Sequence, residues 1–155
     1  MQTKKRQIIK WILLAAVLLW CSVIFGFSLA DAGESTSQSG FMLDFLNSIP
    51  KALGLSFRFT SFFVRKLAHF TEFFILGVLS AGTLVSFGCK RSARFYIPTV
   101  LAVASTDETI QLFVPGRAGQ ITDVLLDFSG GFSGGAVLLV ILYFVFRIRK
   151  SKTGK

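Results

Sequence analysis

Long apolar runs separated by short polar stretches organise this chain. Residues 11–30 are 20 positions without a charge, and residues 128–146 are 19 more. A hydrocarbon core roughly 30 Å thick is crossed by about 20 apolar residues in a helix. Lipid offers no partner for backbone N–H and C=O groups, so each such run must be helical. Four segments follow from the pattern, at about 8–29, 62–87, 95–114 and 123–146. The expected fold is all-α: a polytopic membrane protein with four transmembrane helices, one domain over 1–155, its motif-bearing part at about 62–146. Between the first two segments, residues 31–40 read as a polar Gly/Ser/Thr-rich loop. Phe41, Met42, Phe45, Leu46 and Ile49 then share one helical face, with Asp44, Asn47 and Ser48 elsewhere, until Pro50 ends the pattern. Such an amphipathic helix suits the membrane interface or a cap over the bundle. The first segment also has the outline of a signal peptide, with Ser28-Leu29-Ala30 as a small-residue cleavage site. Its apolar stretch exceeds the usual ~7–15 residues, so a retained helix is expected.

Composition agrees with the pattern. Apolar residues make up 52% of the chain, Phe occurs 18 times, and mean hydropathy is +0.64, which excludes a soluble enzyme or a disordered tail protein. The net charge of +9, from 17 basic and 8 acidic residues, would in a soluble chain suggest nucleic acid. Here it is a topology signal. Lys4, Lys5, Arg6 and Lys10, then Lys90, Arg91 and Arg94, then Arg147, Arg149, Lys150, Lys152 and Lys155 fall on one side of a four-helix arrangement, twelve basic residues with no acid among them. That side is expected to be cytoplasmic, carrying both termini of a plasma-membrane protein, against anionic lipid. No nucleic-acid partner is expected. Cys21 and Cys89 lie in or beside apolar runs with no CxxC spacing, so neither a disulfide nor a zinc site is indicated.

Charges inside the helices carry the chemistry. A central charge costs roughly 2.5–3.5 kcal/mol on translocon scales, so such groups must pair, sit near an interface or line a wet cavity. Arg65, His69 and Glu72 are spaced i, i+4, i+7 on one face of the second segment, with Lys66 beside them. Asp107, Glu108 and Gln111 cluster near the end of the third. Asp123 and Asp127, spaced i, i+4, begin the fourth, and Val114-Pro115-Gly116-Arg117 makes a tight connection between them. All lie toward the end opposite the basic termini, and one outward-facing polar pocket is the simplest arrangement. Ion pairs that merely fix helix packing are the rival explanation. One His among acids could hold a divalent cation largely through oxygen ligands, but no spacing is diagnostic, and neither metal nor cofactor is expected. Gly130, Gly131, Gly134 and Gly135 form two overlapping GxxxG patterns suited to close packing inside the bundle, or to dimerisation.

The same residues resemble a known family. Arg65-Lys66-Leu67-Ala68-His69-Phe70-Thr71-Glu72-Phe73-Phe74 with Leu76-Gly77, then Asp107-Glu108, Gln111, Val114-Pro115-Gly116-Arg117, Asp123 and Gly130, are similar to the motifs of VanZ-like membrane proteins, over about residues 65–135. Phe73 stands where that family often has Tyr, and Asp127 where Asn is common. The family takes its name from a teicoplanin-resistance accessory protein. The resemblance therefore implies a role in the response to lipophilic glycopeptide antibiotics, exercised by binding or altering a membrane lipid or lipid-linked envelope precursor, or the lipoglycopeptide itself. The candidate ligand-binding residues are Arg65, Lys66, His69, Glu72, Asp107, Glu108, Gln111, Arg117, Asp123 and Asp127. Two alternatives stand beside this. An intramembrane enzyme acting on a lipid head group would use His69 as base, oriented by Glu72, with Asp107 or Glu108 as acid or metal ligand and Arg117 stabilising anionic charge. A small proton-coupled transporter is the other, disfavoured by acids gathered at one end of apolar helices.

Overall fold

The computed structural model describes residues 2–30, 32–89 and 91–152. Lys90 and Lys155, used above for the charge pattern, and Asp31, the first residue of the expected polar loop, lie outside them. Five helices follow one another: α1 (Gln2–Leu29), α2 (Ala32–Ala52), α3 (Ser61–Ser86), α4 (Ser92–Gln111) and α5 (Ile121–Lys152).

Three of the described helices, not four, are long and apolar enough to cross a membrane: α1, α3 and α5. The expected third span is α4, and its composition fails the test. Over 20 residues it carries Pro98, five Ser and Thr positions, two acids and a Gln, with few large aliphatic side chains to offset them. It still returns the chain alongside the others. Its Thr hydroxyls are bonded to its own backbone, Thr99 to Phe95 O at 2.9 Å, Thr106 to Ala102 O at 2.8 Å and Thr109 to Ser105 O at 2.6 Å, which relieves the cost of unpaired hydroxyls. Its buried face, Tyr96, Val100, Ala104, Asp107 and Gln111, recurs every three or four residues.

The second difference is α2. Its backbone is helical from Ala32, so the expected 31–40 loop is not one, and Pro50 lies inside its last turn rather than ending it. Proline is costly mid-helix because it lacks an N–H and its ring crowds the preceding turn; here the helix closes two residues later at Ala52. The amphipathic expectation survives in its exposed half. Phe41, Met42, Phe45 and Ile49 stay exposed instead of packing against the bundle. Asn47 ties α2 to the following link, accepting from Phe59 N at 2.7 Å and donating to Phe59 O at 3.2 Å. Thr60 then caps α3, its side chain accepting from Phe63 N.

Inside the bundle the large apolar side chains are few. Ile24, Phe73, Leu76, Ala81, Tyr96, Val100 and Ala104 form one buried cluster, while Trp11, Ile12, Leu18, Leu19, Val140, Ile141 and Phe144 face outward. A soluble domain would bury that outer set. Close approach between helices depends on small residues. On α5, Gly130 and Gly134 lie against the Phe70 and Phe74 carbonyls of α3, so these two helices run parallel; Gly131 and Gly135 meet Val100 and Tyr96 of antiparallel α4. The two GxxxG stripes thus serve two different neighbours within one chain.

These contacts fix which ends coincide. Trp11 meets Phe87 edge-on at 5.9 Å, and Arg6, Lys10, Ser86 and Phe146 line one cleft, so the basic starts and finishes of the helices share an end. The opposite end gathers the finish of α1, the start of α3, the finish of α4 and the start of α5. There α1 is integral: Ser28 reaches Asp107, and Trp20 Nε1 donates to the Glu72 carbonyl at 2.9 Å.

Candidate functional site

At that end a cleft of about 280 Å³ opens among Phe62, Arg65, Lys66, His69, Gln111, Arg117 and Asp123, with Gly116, Ala118 and Gln120. Each wall has a local cause. The first turns of α3 present Arg65, Lys66 and His69 after the Thr60 cap. Opposite, Val114-Pro115-Gly116-Arg117 closes a tight turn through Arg117 N to Val114 O at 3.2 Å, with Gly116 at φ 75°. Proline second and a positive-φ glycine third are what such a turn requires, and they aim Arg117 back over the helix ends.

The cations in the cleft differ in their pairing. Lys66 Nζ is ion-paired with Asp123 and also stands 5.3 Å from the Phe62 ring centroid. Among the described residues, Arg65 and Arg117 have no carboxylate partner within ion-pair distance, and Arg117 Nε is buried without a hydrogen bond. Burial, then the neighbouring Arg65, draw the Arg117 guanidinium below its ordinary pKa; a guanidinium nevertheless stays protonated. Pairing that serves only to fix helix packing therefore accounts for Lys66 and Asp123, and leaves two guanidiniums unexplained.

Beneath the cleft lies a buried acidic layer. Asp107 and Asp127 are 0% exposed, and Glu108 and Gln111 are 4%. Asp107 is held on both oxygens, by the Ser28 hydroxyl and by Gln111 Nε2 at 3.0 Å. Glu108 Oε2 accepts from Gln120 N at 2.8 Å, while its Oε1 has no partner. His69 Nδ1 faces Asp127 Oδ1 at 3.5 Å, so the carboxylate toward this ring is Asp127. Glu72 is half-buried, outside the cleft lining, and within electrostatic reach of His69 and Asp107.

Of the ten candidates, Arg65, Lys66, His69, Gln111, Arg117 and Asp123 line the cleft; Asp107 and Asp127 lie under it with His69. Glu108 sits beside them, and Glu72 is the outlier. Sequence reasoning missed Ser28 as a site residue, although a lone Ser closing an apolar run was a usable signal. It also missed the Gln120 backbone N–H, which no pattern discloses.

The VanZ/LLP1 family matches residues 13–147. The chain belongs to that family. The match extends well beyond the motif-bearing stretch toward the N-terminus and takes in most of α1, whose Ser28 completes the Asp107 site. No curated protein and no solved structure matches this VanZ/LLP1 member.

The layer also has a stability consequence. Ser28→Ala removes one of the hydrogen bonds to buried Asp107, and a lost partner at a buried group costs about 1–3 kcal/mol. A lower midpoint of thermal unfolding in detergent is the expected result. An unchanged midpoint would mean that water takes the place of the hydroxyl.

Proposed function

We propose that this VanZ-family protein binds the anionic head group of a membrane lipid or lipid-linked envelope component, and through it modulates sensitivity to lipophilic glycopeptides such as teicoplanin. One observation carries the reading: Arg65 and Arg117 converge on a single cleft, and among the described residues no carboxylate stands within ion-pair distance of either. Guanidinium groups recognise phosphate and carboxylate through paired N–H donors. The cleft, at about 280 Å³, is just under the about 300–1,000 Å³ of small-molecule sites, which suits a head group with its acyl chains left in lipid. Exposed Phe62 in the cleft lining, with the exposed Phe57 and Phe63 and the apolar face of α2, offers contacts for those chains. The basic end of the bundle faces the cytoplasm of the plasma membrane in this reading, which turns the cleft outward.

His69 beside Asp127, with Asp107 below, favours a second reading, in which the bound head group is also modified. His69 is then the base, oriented by Asp127 in place of the expected Glu72. A proton-coupled transporter gains no such support. Between the acidic layer and the basic end, the buried core is Leu76, Ala81, Tyr96 and Val100, with no described charge among them.

Wild type and Arg117→Ala, Glu108→Gln and His69→Gln variants expressed in a susceptible host test the reading, with membrane levels checked before teicoplanin susceptibility and lipid profiles are measured. Reduced susceptibility in the wild type, lost in Arg117→Ala at normal protein level, is expected. A lipid species that changes with wild type and not with His69→Gln establishes the enzymatic reading. A wild type that shifts neither susceptibility nor lipids contradicts the proposal.

A further inference from the structure

We propose that His69, Asp107 and Asp127 bind a divalent metal ion, Zn²⁺ or Mn²⁺, beneath the cleft. The three come from α3, α4 and α5, and one donor atom of each lies within 4.8 Å of the others. An acidic cluster alone would not carry this; the pairing of its atoms does. Asp127 is fully buried, and neither of its carboxylate oxygens has a hydrogen-bond partner. His69 Nδ1 is also buried and unpartnered. At 3.5 Å from Asp127 Oδ1 it lies beyond the about 2.7–3.2 Å of an N–H···O bond. Two orphaned groups therefore face the same point.

Leaving a carboxylate buried and unsatisfied is costly, and the neighbourhood makes it worse. Asp107, Glu108 and Glu72 all lie within electrostatic reach of Asp127 or of each other, and the opposing groups are His69 and Lys66 at Asp127, and His69 and Arg117 at Glu72. A divalent ion balances two carboxylates and a neutral imidazole. It also supplies the missing partner to Nδ1 and to Asp127 at once. The third ligand is already oriented: Ser28 and Gln111 hold Asp107 on both oxygens, the role of outer partners at a metal centre. Metal–ligand bonds of roughly 2.0–2.2 Å need the donors somewhat closer than they stand, a change within reach of side-chain rotation. One nitrogen and carboxylate oxygens suit zinc or manganese over copper or a thiolate-seeking ion. Three protein ligands leave a position open, as sites that take water or a substrate oxygen do. This site does not depend on the head-group reading, because its occupancy is read with no lipid present.

The full chain, purified without chelator from cells grown with added Zn²⁺ and Mn²⁺, is analysed for metal by mass spectrometry. About one equivalent per chain is expected in wild type, falling below about 0.1 in Asp127→Asn and Asp107→Asn and returning in Asp127→His, which restores a donor. Where the Asn variants do not fold, wild type stripped by chelator and reloaded with Co²⁺ decides: visible bands of a low-coordinate, histidine-bound ion support the site. Metal-free wild type that takes up neither Zn²⁺ nor Co²⁺ overturns it. So does full occupancy in folded Asp127→Asn, which would leave protonated carboxylates as the account of the orphaned oxygens.

Discussion

Gly77→Ala should cost this protein about 2–4 kcal/mol or prevent its accumulation in the membrane, a large effect for one methyl group. A Cβ at Gly77 would run into the Gly131 carbonyl oxygen, and would stand 2.8 Å from Gly131 C and 2.9 Å from Gly135 N. All three are backbone atoms of α5 that no rotamer change can move. The helices must separate, and separation pulls Gly130 and Gly134 off the Phe70 and Phe74 carbonyls along the same seam. Gly26→Ala is the matching control, since nothing lies within 4 Å of a Cβ there; the better helix propensity of Ala should leave stability equal or raised by up to about 1 kcal/mol. Thermal unfolding of both variants in detergent separates the cases. Equal midpoints would show that α3 and α5 do not pack through Gly77.

Arg65→Ala with Arg117→Ala should weaken binding of an anionic head group by about 100-fold or more, while leaving the fold intact. Each charge-assisted contact contributes about 1.5–3 kcal/mol, and 1.4 kcal/mol is tenfold in affinity. Neither side chain has a carboxylate within ion-pair distance, so their removal breaks no direct ion pair, although Arg117 also lies within electrostatic reach of Asp107, Glu108 and Glu72. Lys66→Met should behave differently. Its ammonium is taken by Asp123, so the loss of binding should be smaller, with some stability lost through the unpaired Asp123. Arg117→Lys should not restore the full affinity, because a single ammonium cannot match a planar fork of donors. Isothermal titration with a short-chain anionic phospholipid reads all three variants against wild type. A double variant that binds like wild type removes the cleft from the account.

The helical architecture, the Gly stripes and the charged end were readable from the sequence because each rests on a local period. Apolar runs of membrane length give α1, α3 and α5 directly. Spacing of i, i+4 puts Gly130 with Gly134 and Gly131 with Gly135, although which neighbour each stripe meets needed the packed bundle. What misled was composition weighed without packing. The segment at 95–114 reads as a span because it is uncharged up to Asp107, yet its Thr and Ser content and Pro98 make it a poor one. It holds its place through Tyr96, Val100 and Ala104 against α5. Pro50 reads as a stop, but the helix ends two residues beyond it. The pairing inside the site was beyond sequence altogether. Glu72 sits on the same α3 face as His69 at helical spacing, but Asp127 from another helix is the acid that faces the ring. Ser28 enters the site from 79 positions away in the chain.

Direct binding of a head group to the cleft is the sharpest test. Native mass spectrometry of the full chain, titrated with phosphatidylglycerol and in parallel with zwitterionic phosphatidylcholine, compares wild type with Arg117→Ala. Two guanidiniums without a carboxylate partner predict saturable uptake of about one phosphatidylglycerol per wild-type chain, little phosphatidylcholine, and at least about tenfold weaker anionic-lipid binding in the variant. Equal uptake of both lipids by wild type, or an Arg117→Ala curve that overlays it, would contradict the account.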